Sequence, residues 1–314
     1  MVFAEGANPR ILQAVKVLRE EKNIEPILLG NKEIILRKMT ELGLESLSDL
    51  EIITPHKDKN FKDFYLDYSK EQRRNGISVY HSEDFMAQEN YFGAMMIKKG
   101  LANTLISGPT LSYKDCLLPI INVVETQDNS KAAGIYILVF KNRVLFFADC
   151  TAQIDPSAEN LSEIAINTAN LYRLLLKREP RVAFLSYSSF GSNRHPSATK
   201  VKKAVNITKE KRPKMIIDGE MQADVAVNKG ILDQLFNFNE LDKAADILIF
   251  PELNSANISY KLLTQLADTS AIGPILVPMK STVNIMQRTA SVSEIVNMCT
   301  VTALLSEEED RDES

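Results

Sequence analysis

The chain has 314 residues, of which 45% are hydrophobic and 25% are charged, and its formal net charge is −4. The length predicts two domains, and the acidic balance argues against a protein that binds nucleic acid. No apolar run is long enough to span a membrane, and the three cysteines and three histidines show no disulfide or metal-ligand spacing. We therefore expect a cytoplasmic protein with no membrane segment and no metal site.

Short apolar runs alternate with helical periodicity over the first 125 residues. Strands are predicted at 2–4, 26–29, 50–53 and 104–106, and helices at 8–21, 33–42, 84–99 and 114–124. This alternation is typical of a parallel sheet with helices on both faces.

The pattern changes near residue 125. The apolar runs 134–140 and 144–148 flank three polar residues, which predicts an antiparallel hairpin. A second α/β layer follows, with helices at 160–177, 197–204, 220–228 and 258–268 and strands at 182–185, 215–218 and 247–250. The strand at 273–277 and the final helix at 292–305 come after this layer.

Segment 186–196 follows a predicted strand and is rich in short polar side chains. It contains four serines, among them Ser188 and Ser192, together with Gly191. This composition fits either an ordinary polar loop or a cradle for a phosphate or pyrophosphate group. The glycine spacing of ATP-binding and dinucleotide-binding loops is missing, so neither ligand is predicted here.

Two further segments follow strands and leave two interpretations open. Asn254, Ser255 and Asn257 suit the start of a helix, either as capping residues or as part of an anion site with free backbone N–H groups. Asp218 and Glu220 flank a glycine, either as a turn with a carboxylate at a helix start or as a catalytic pair.

Segment 273–298 carries the chemistry that is easiest to interpret. Gln287 and Arg288 lie between an apolar run and a predicted helix, and Glu294 follows in the first turn of that helix. Open α/β sheets bind ligands where strands end and helices begin. The guanidinium and the carboxylate suit an anionic substrate and a proton transfer.

Seven segments, in order, resemble blocks of the phosphate acetyl/butyryltransferase family. They are VFAEGANPRIL, NYFGAMMIKKGLANTLISG, FADCTAQIDPSAENLSEIAI, RVAFLSYSSFGS, DGEMQADVAVN, FPELNSANISYKL and the pair GPILVPM and SVSEIVNM. The resemblance implies an α/β protein with two α/β/α domains and a cleft between them, the isocitrate/isopropylmalate dehydrogenase-like (phosphotransacetylase) fold. Domain I would be residues 1–129 plus 276–314, and domain II residues 130–275.

The family moves an acyl group between phosphate and the thiol of coenzyme A. That reaction needs a base near the thiol, donors for the carbonyl oxygen and a cation for the phosphate. The resemblance implies that Arg288, Glu294 and Gln287 are the catalytic residues. It also implies that coenzyme A or acetyl-CoA is bound by Ser188, Gly191, Ser192, Asn254, Ser255, Asn257 and Ser291.

Three positions depart from the family pattern. Gln287 stands in place of a donor serine, Glu294 in place of an aspartate base, and Leu118 in place of a substrate-binding arginine. The C-terminal domains of large bacterial NADP-dependent malic enzymes, which are similar to this family, resemble the chain in LSYSSFGS, in Gln287 and in EIVNM.

From these departures we expect the C-terminal phosphotransacetylase-like domain of such a malic enzyme, an oxaloacetate-decarboxylating malate dehydrogenase. It would bind acetyl-CoA or another acyl-CoA for allosteric regulation, assemble into a homo-oligomer (a dimer or larger) and retain little transferase activity. NADP and a divalent metal would be bound only by a preceding N-terminal malic enzyme domain of the same parent chain. The alternative is an active phosphate acetyltransferase or butyryltransferase.

Overall fold

The computed structural model describes residues 1–312. The chain divides into two compact units. Unit 1 contains Met1–Asn129 and the described residues from Met279 onward, and unit 2 is Ser130–Pro278. Both units combine a sheet with helices, so the predicted α/β class is confirmed. Within residues 1–312, no helix is both long enough and apolar enough to cross a membrane.

Unit 1 is built on five parallel strands in the order β3-β2-β1-β4-β11. The strands are β1 (Val2–Phe3), β2 (Ile27–Leu29), β3 (Glu51–Ile53), β4 (Leu105–Ser107) and β11 (Val283–Ile285). The described helices are α1 (Pro9–Lys22), α2 (Lys32–Glu41), α3 (Phe61–Gln72), α4 (Val79–Met86), α5 (Glu89–Lys98), α6 (Tyr113–Val123) and α12 (Val292–Asp312). Because the strands run the same way, their C-terminal ends and the loops that follow them meet at one edge of the sheet.

The start of α1 shows how local sequence fixes this edge. Asn8 caps the helix, because its side-chain oxygen accepts hydrogen bonds from the backbone N–H groups of Arg10 and Ile11. Pro9 occupies the first helical position, where a missing N–H group costs nothing. The helix buries one apolar stripe, which includes Leu12 and Val15, as the predicted periodicity requires.

Unit 2 contains a mixed sheet of six strands in the order β10-β5-β6-β9-β7-β8. The strands are β5 (Ala133–Phe140), β6 (Val144–Ala148), β7 (Arg181–Leu185), β8 (Ile216–Met221), β9 (Ile247–Ile249) and β10 (Thr269–Val277). β5 and β6 form the predicted antiparallel hairpin, and β6, β9, β7 and β8 run parallel. The described helices are α7 (Ala158–Leu176), α8 (Pro196–Lys211), α9 (Ala223–Val227), α10 (Lys229–Leu235) and α11 (Leu253–Leu266).

Several element predictions were wrong. The single helix predicted at 84–99 is two helices, α4 and α5, and neither α3 nor the three-residue strand β11 was predicted. The helix predicted at 220–228 begins later, because β8 continues through Glu220 to Met221. Glu220 is therefore a buried strand residue, 1% exposed, and not a carboxylate at a helix start.

Candidate active site

The loop that joins β11 to α12 lies at the C-terminal edge of the unit 1 sheet. We call residues 286–291 the Arg288 loop. Its first residue is held to β4, because the N–H of Met286 donates to the carbonyl of Ser107 at 2.7 Å. Within the loop, the N–H of Ala290 donates to the carbonyl of Gln287 at 3.1 Å. Gln287 is half-buried, whereas Arg288 is exposed.

The Arg288 guanidinium is anchored by one nitrogen. Its Nε donates to the backbone carbonyl of Leu111 at 3.1 Å. Within the described part of the chain, its two terminal nitrogens make no further hydrogen bond or ion pair. A guanidinium with a fixed Nε and two available donors is suited to bidentate binding of a phosphate or carboxylate.

The start of α12 forms a capping box. The hydroxyl of Ser291 accepts a hydrogen bond from the N–H of Glu294 at 3.3 Å. In return, Oε2 of Glu294 accepts from the N–H of Ser291 at 2.7 Å and from its hydroxyl at 2.8 Å. Both residues therefore stabilise the helix end. Among residues 1–312, the Oε1 atom of Glu294 makes no hydrogen bond, so it is available to take a proton.

A second carboxylate at this edge was missed by the sequence analysis. Glu5 follows β1 and accepts hydrogen bonds from the N–H and the hydroxyl of Thr110 and from the N–H of Leu111. The rule that drew attention to Arg288, namely that ligands bind where strands end and helices begin, applies equally to Glu5.

Two residues of α6, Cys116 and Leu118, limit the chemistry of this edge. Leu118 stands where the family pattern has a substrate-binding arginine, and its side chain is 44% exposed. Desolvation raises the pKa of the buried Cys116 thiol, although a hydrogen bond to Ser107 opposes this shift. Cys116 is therefore a poor source of a nucleophilic thiolate.

In unit 2, the segment predicted as a phosphate cradle surrounds a protein carboxylate. We call residues 186–193 the serine loop. The Oε1 atom of Glu220 accepts from the hydroxyl of Ser188 at 3.1 Å and from the N–H of Gly191 at 2.6 Å. The hydroxyl of Ser192 lies 3.1 Å from that of Ser188. The structure thus brings Ser188, Gly191 and Ser192 together, and two of them, Ser188 and Gly191, donate to the Glu220 carboxylate.

A protein carboxylate also accepts hydrogen bonds from the backbone N–H groups at the start of α11. The carboxylate of Glu252 accepts from the N–H groups of Asn254 and Ser255, each at 2.7 Å, through different oxygens. Asn257 donates its side-chain amide to the carbonyl of Cys150 at 3.2 Å. Asn254 and Ser255 therefore leave few backbone donors for an external anion, and their side chains remain the groups that could contact a ligand.

Among the described residues, His, Cys, Asp and Glu side chains form no group that could hold a metal ion.

Comparison with known proteins relates this architecture to one family. The family model described as phosphate acetyl/butaryl transferase matches residues 1–303. The phosphate acetyltransferase of Bacillus subtilis (strain 168) is 35% identical over 304 residues, which cover 96% of this chain and 93% of that protein. The crystal structure of a phosphotransacetylase from Streptococcus pyogenes is 32% identical and has a TM-score of 0.91, covering 98% of this chain and 94% of that chain.

The expected assignment to a malic enzyme is wrong. The NADP-dependent malic enzyme of Escherichia coli (strain K12) is 32% identical over 303 residues, which cover 95% of this chain but only 40% of that enzyme. The phosphate acetyltransferases of Bacillus subtilis (strain 168) and Thermoanaerobacterium thermosaccharolyticum instead match along 93% and 94% of their own length, at 35% and 36% identity. The predicted oxidoreductase role, NADP, divalent metal and N-terminal malic enzyme domain therefore have no support. The chain belongs to the phosphate acetyl/butaryl transferase family.

Proposed function

We propose that the protein is an active phosphate acetyltransferase or butyryltransferase, which moves an acyl group between coenzyme A and inorganic phosphate. The observation that carries this proposal is the family match over residues 1–303, which includes the Arg288 loop and the start of α12. Several bacterial relatives that align with almost the whole chain are themselves phosphate acetyltransferases.

In the proposed reaction, Oε1 of Glu294 accepts the proton of the coenzyme A thiol. The thiolate attacks the carbonyl carbon of acetyl phosphate, a carbon–sulfur bond forms, and the carbon–oxygen bond to phosphate breaks. Inorganic phosphate leaves with the electron pair of that bond, and the proton passes from Glu294 to phosphate or solvent. The thiolate is the reactive form of the thiol, so a base near it accelerates the step by about 10²–10⁴-fold.

Arg288 and Gln287 act on the acyl phosphate in this proposal. The terminal nitrogens of Arg288 bind phosphate oxygens, and the Gln287 amide donates to the carbonyl oxygen as negative charge develops on it. The availability of the terminal nitrogens supports the role of Arg288. Because Leu118 offers no guanidinium, we expect phosphate to be bound more weakly than by a site with two arginines.

We further propose that coenzyme A binds to residues of two unit 2 segments, namely Ser188, Gly191, Ser192, Asn254, Ser255 and Asn257. Ser291, at the start of α12, is a further proposed contact. Asn254 and Ser192 are exposed, which supports this role. The isocitrate/isopropylmalate dehydrogenase-like class, the domain limits at 1–129 plus 276–314 and 130–275, the homo-oligomer and the cytoplasmic location remain predictions.

A direct assay tests the proposed function. The purified chain is mixed with acetyl phosphate and coenzyme A, and thioester formation is followed by its ultraviolet absorbance, with butyryl phosphate as the second acyl donor. Thioester must form only when both substrates are present. Binding of coenzyme A in a calorimeter without any thioester formation contradicts the proposal.

A further inference from the structure

The segment between β1 and α1 carries two charged side chains that the proposed reaction does not use. Glu5 and Arg10 have opposite charges, and both are half-buried. They do not pair with each other in the described structure. Each is directed instead at a backbone group of a neighbouring loop, and both contacts lead to Arg288.

Glu5 fixes the backbone that supports the Arg288 guanidinium. Its carboxylate accepts from the N–H of Thr110 at 2.9 Å and from the N–H of Leu111 at 3.4 Å, and also from the Thr110 hydroxyl. The carbonyl of the same Leu111 accepts from Arg288 Nε at 3.1 Å. Hydrogen bonds to an ionised acceptor are stronger than neutral ones, so the Leu111 peptide has a well-defined position.

Arg10 fixes the other side of the Arg288 loop. Its Nη1 donates to the carbonyl of Ala290 at 2.6 Å, across 280 residues of sequence. The backbone of Arg10 is in turn held by the Asn8 cap, whose oxygen accepts the Arg10 N–H at 2.9 Å. The short β1–α1 connection therefore contacts the Arg288 loop directly and, through Leu111, the Arg288 side chain.

We propose that Glu5 and Arg10 are positioning residues, which hold the two terminal nitrogens of Arg288 in place for a phosphate group. An arginine side chain has many rotamers, and ordering it on binding costs affinity. Fixing Nε and the loop backbone beforehand removes part of that cost. The identity of the ligand as phosphate rests on the proposed function, whereas the positioning itself rests on the contacts above.

The kinetic test compares Glu5→Ala and Arg10→Ala with two matched variants of the same unit. Arg19 lies on the same helix as Arg10, but it pairs with Asp49 at 2.6 Å and contacts no part of the Arg288 loop. Arg19→Ala and Asp49→Asn are therefore the controls.

We expect the KM for acetyl phosphate to rise about tenfold in Glu5→Ala and in Arg10→Ala, the effect of one lost charge-assisted hydrogen bond. The kcat and the KM for coenzyme A should stay within about twofold, because uniform phosphate binding is what is lost. Arg10→Lys keeps one donor for the Ala290 carbonyl and should recover most of the affinity. A merely structural role would lower kcat through a smaller folded fraction and leave the KM unchanged, which would overturn the inference.

Amide hydrogen exchange on the full chain separates this inference from the proposed function. Glu5→Ala should speed exchange at residues 110–111 and also at 287–290, and Arg10→Ala at 287–290 alone, with no change in the two controls. Faster exchange at 287–290 in a protein without transferase turnover would support the positioning role and reject the proposed reaction. Unchanged exchange at 287–290 in both variants overturns the inference, whatever the activity.

Discussion

The serine loop of unit 2 and the Arg288 loop of unit 1 both follow a strand and both are polar, but they use their donors differently. In the serine loop, the hydroxyl of Ser188 and the N–H of Gly191 are turned inward to the buried carboxylate of Glu220. In the Arg288 loop, the Nε of the guanidinium donates to a backbone carbonyl, and its two terminal nitrogens remain available as hydrogen-bond donors to a ligand. An anion site is therefore identified by the donors that remain after internal hydrogen bonding, and not by the number of polar residues.

The same contrast separates the two carboxylates that cap α11 and α12. Glu252 uses both oxygens on backbone N–H groups, one each for Asn254 and Ser255. Glu294 uses only Oε2, for Ser291. A carboxylate with one oxygen left over can cap a helix and still accept a proton, which favours Glu294 over Glu252 as the proposed base.

The largest expected effect is that of Glu294→Gln. A glutamine can still complete the capping box, so stability should change little, whereas proton acceptance is lost. We expect kcat for thioester formation to fall by about 10²–10⁴-fold. Glu159→Gln, which changes an exposed carboxylate in the first turn of α7, is the control and should keep full turnover. Full turnover in Glu294→Gln would remove the distinction between the two capping carboxylates.

Replacement of Arg288 should have the next largest effect. We expect Arg288→Ala to lower kcat/KM for acetyl phosphate by about 100-fold, because the bidentate phosphate contact is lost. Arg288→Lys should recover only part of the lost kcat/KM, since a lysine cannot reproduce the planar pair of donors. Arg143 in unit 2 likewise donates to a backbone carbonyl, at 3.0 Å to Val227, so Arg143→Ala controls for that bond alone. Equal losses in the two alanine variants would contradict the special role of Arg288.

Removal of Glu220 tests the other half of the comparison. Glu220→Ala leaves the Ser188 hydroxyl and the Gly191 N–H without their acceptor, so we expect the free energy of unfolding to drop by about 1–3 kcal/mol. Urea denaturation measures this drop. Glu220→Gln keeps one acceptor oxygen, so its free energy of unfolding should fall by less than that of Glu220→Ala. A stable Glu220→Ala protein would mean that the serine loop does not depend on its internal anion.

The smallest effects should come from the two serine caps, one in each unit. Ser291 caps α12 and Ser157 caps α7, where its hydroxyl accepts from the N–H of Asn160 at 3.2 Å. We expect Ser291→Ala and Ser157→Ala each to lower the free energy of unfolding by about 1 kcal/mol, as typical N-cap losses do. If Ser291→Ala also raises the KM for coenzyme A while Ser157→Ala does not, Ser291 contacts the cofactor in addition to capping.

The sequence predicts the α/β class and most strands correctly, because buried parallel strands are short apolar runs between helical periods. It does not predict β11, because the polar Asn284 interrupts the apolar run of that strand. It also does not predict the break between α4 and α5. These boundaries depend on packing between elements distant in sequence.

In the candidate site, too, local sequence predicts some features, whereas others depend on contacts between residues distant in sequence. Arg288 and Glu294 are recognisable from the sequence because they are charged residues between an apolar run and the first turn of a predicted helix, although the strand that precedes Arg288 in the structure is β11 and not the predicted strand at 273–277. The engagement of Glu220 with the serine loop, and of Glu5 with Thr110, joins residues 32 and 105 positions apart. No local pattern records such contacts, so the sequence did not show that Glu220 accepts from the donors of the serine loop. The malic enzyme assignment was wrong for another reason, because the residue types on which it rested do not separate that enzyme from phosphate acetyltransferases that match along 93% and 94% of their length.

The most direct measurement is a single-turnover experiment with acetyl-CoA and inorganic phosphate, in which acetyl phosphate is quantified for the wild-type protein and for Glu294→Gln. We predict acetyl phosphate in the wild type, in proportion to the protein added and only when phosphate is present, and at least about a 100-fold slower rate in the variant. Acetyl-CoA that stays intact with the wild-type protein, or equal rates in the two proteins, would contradict acyl transfer at the Arg288 loop.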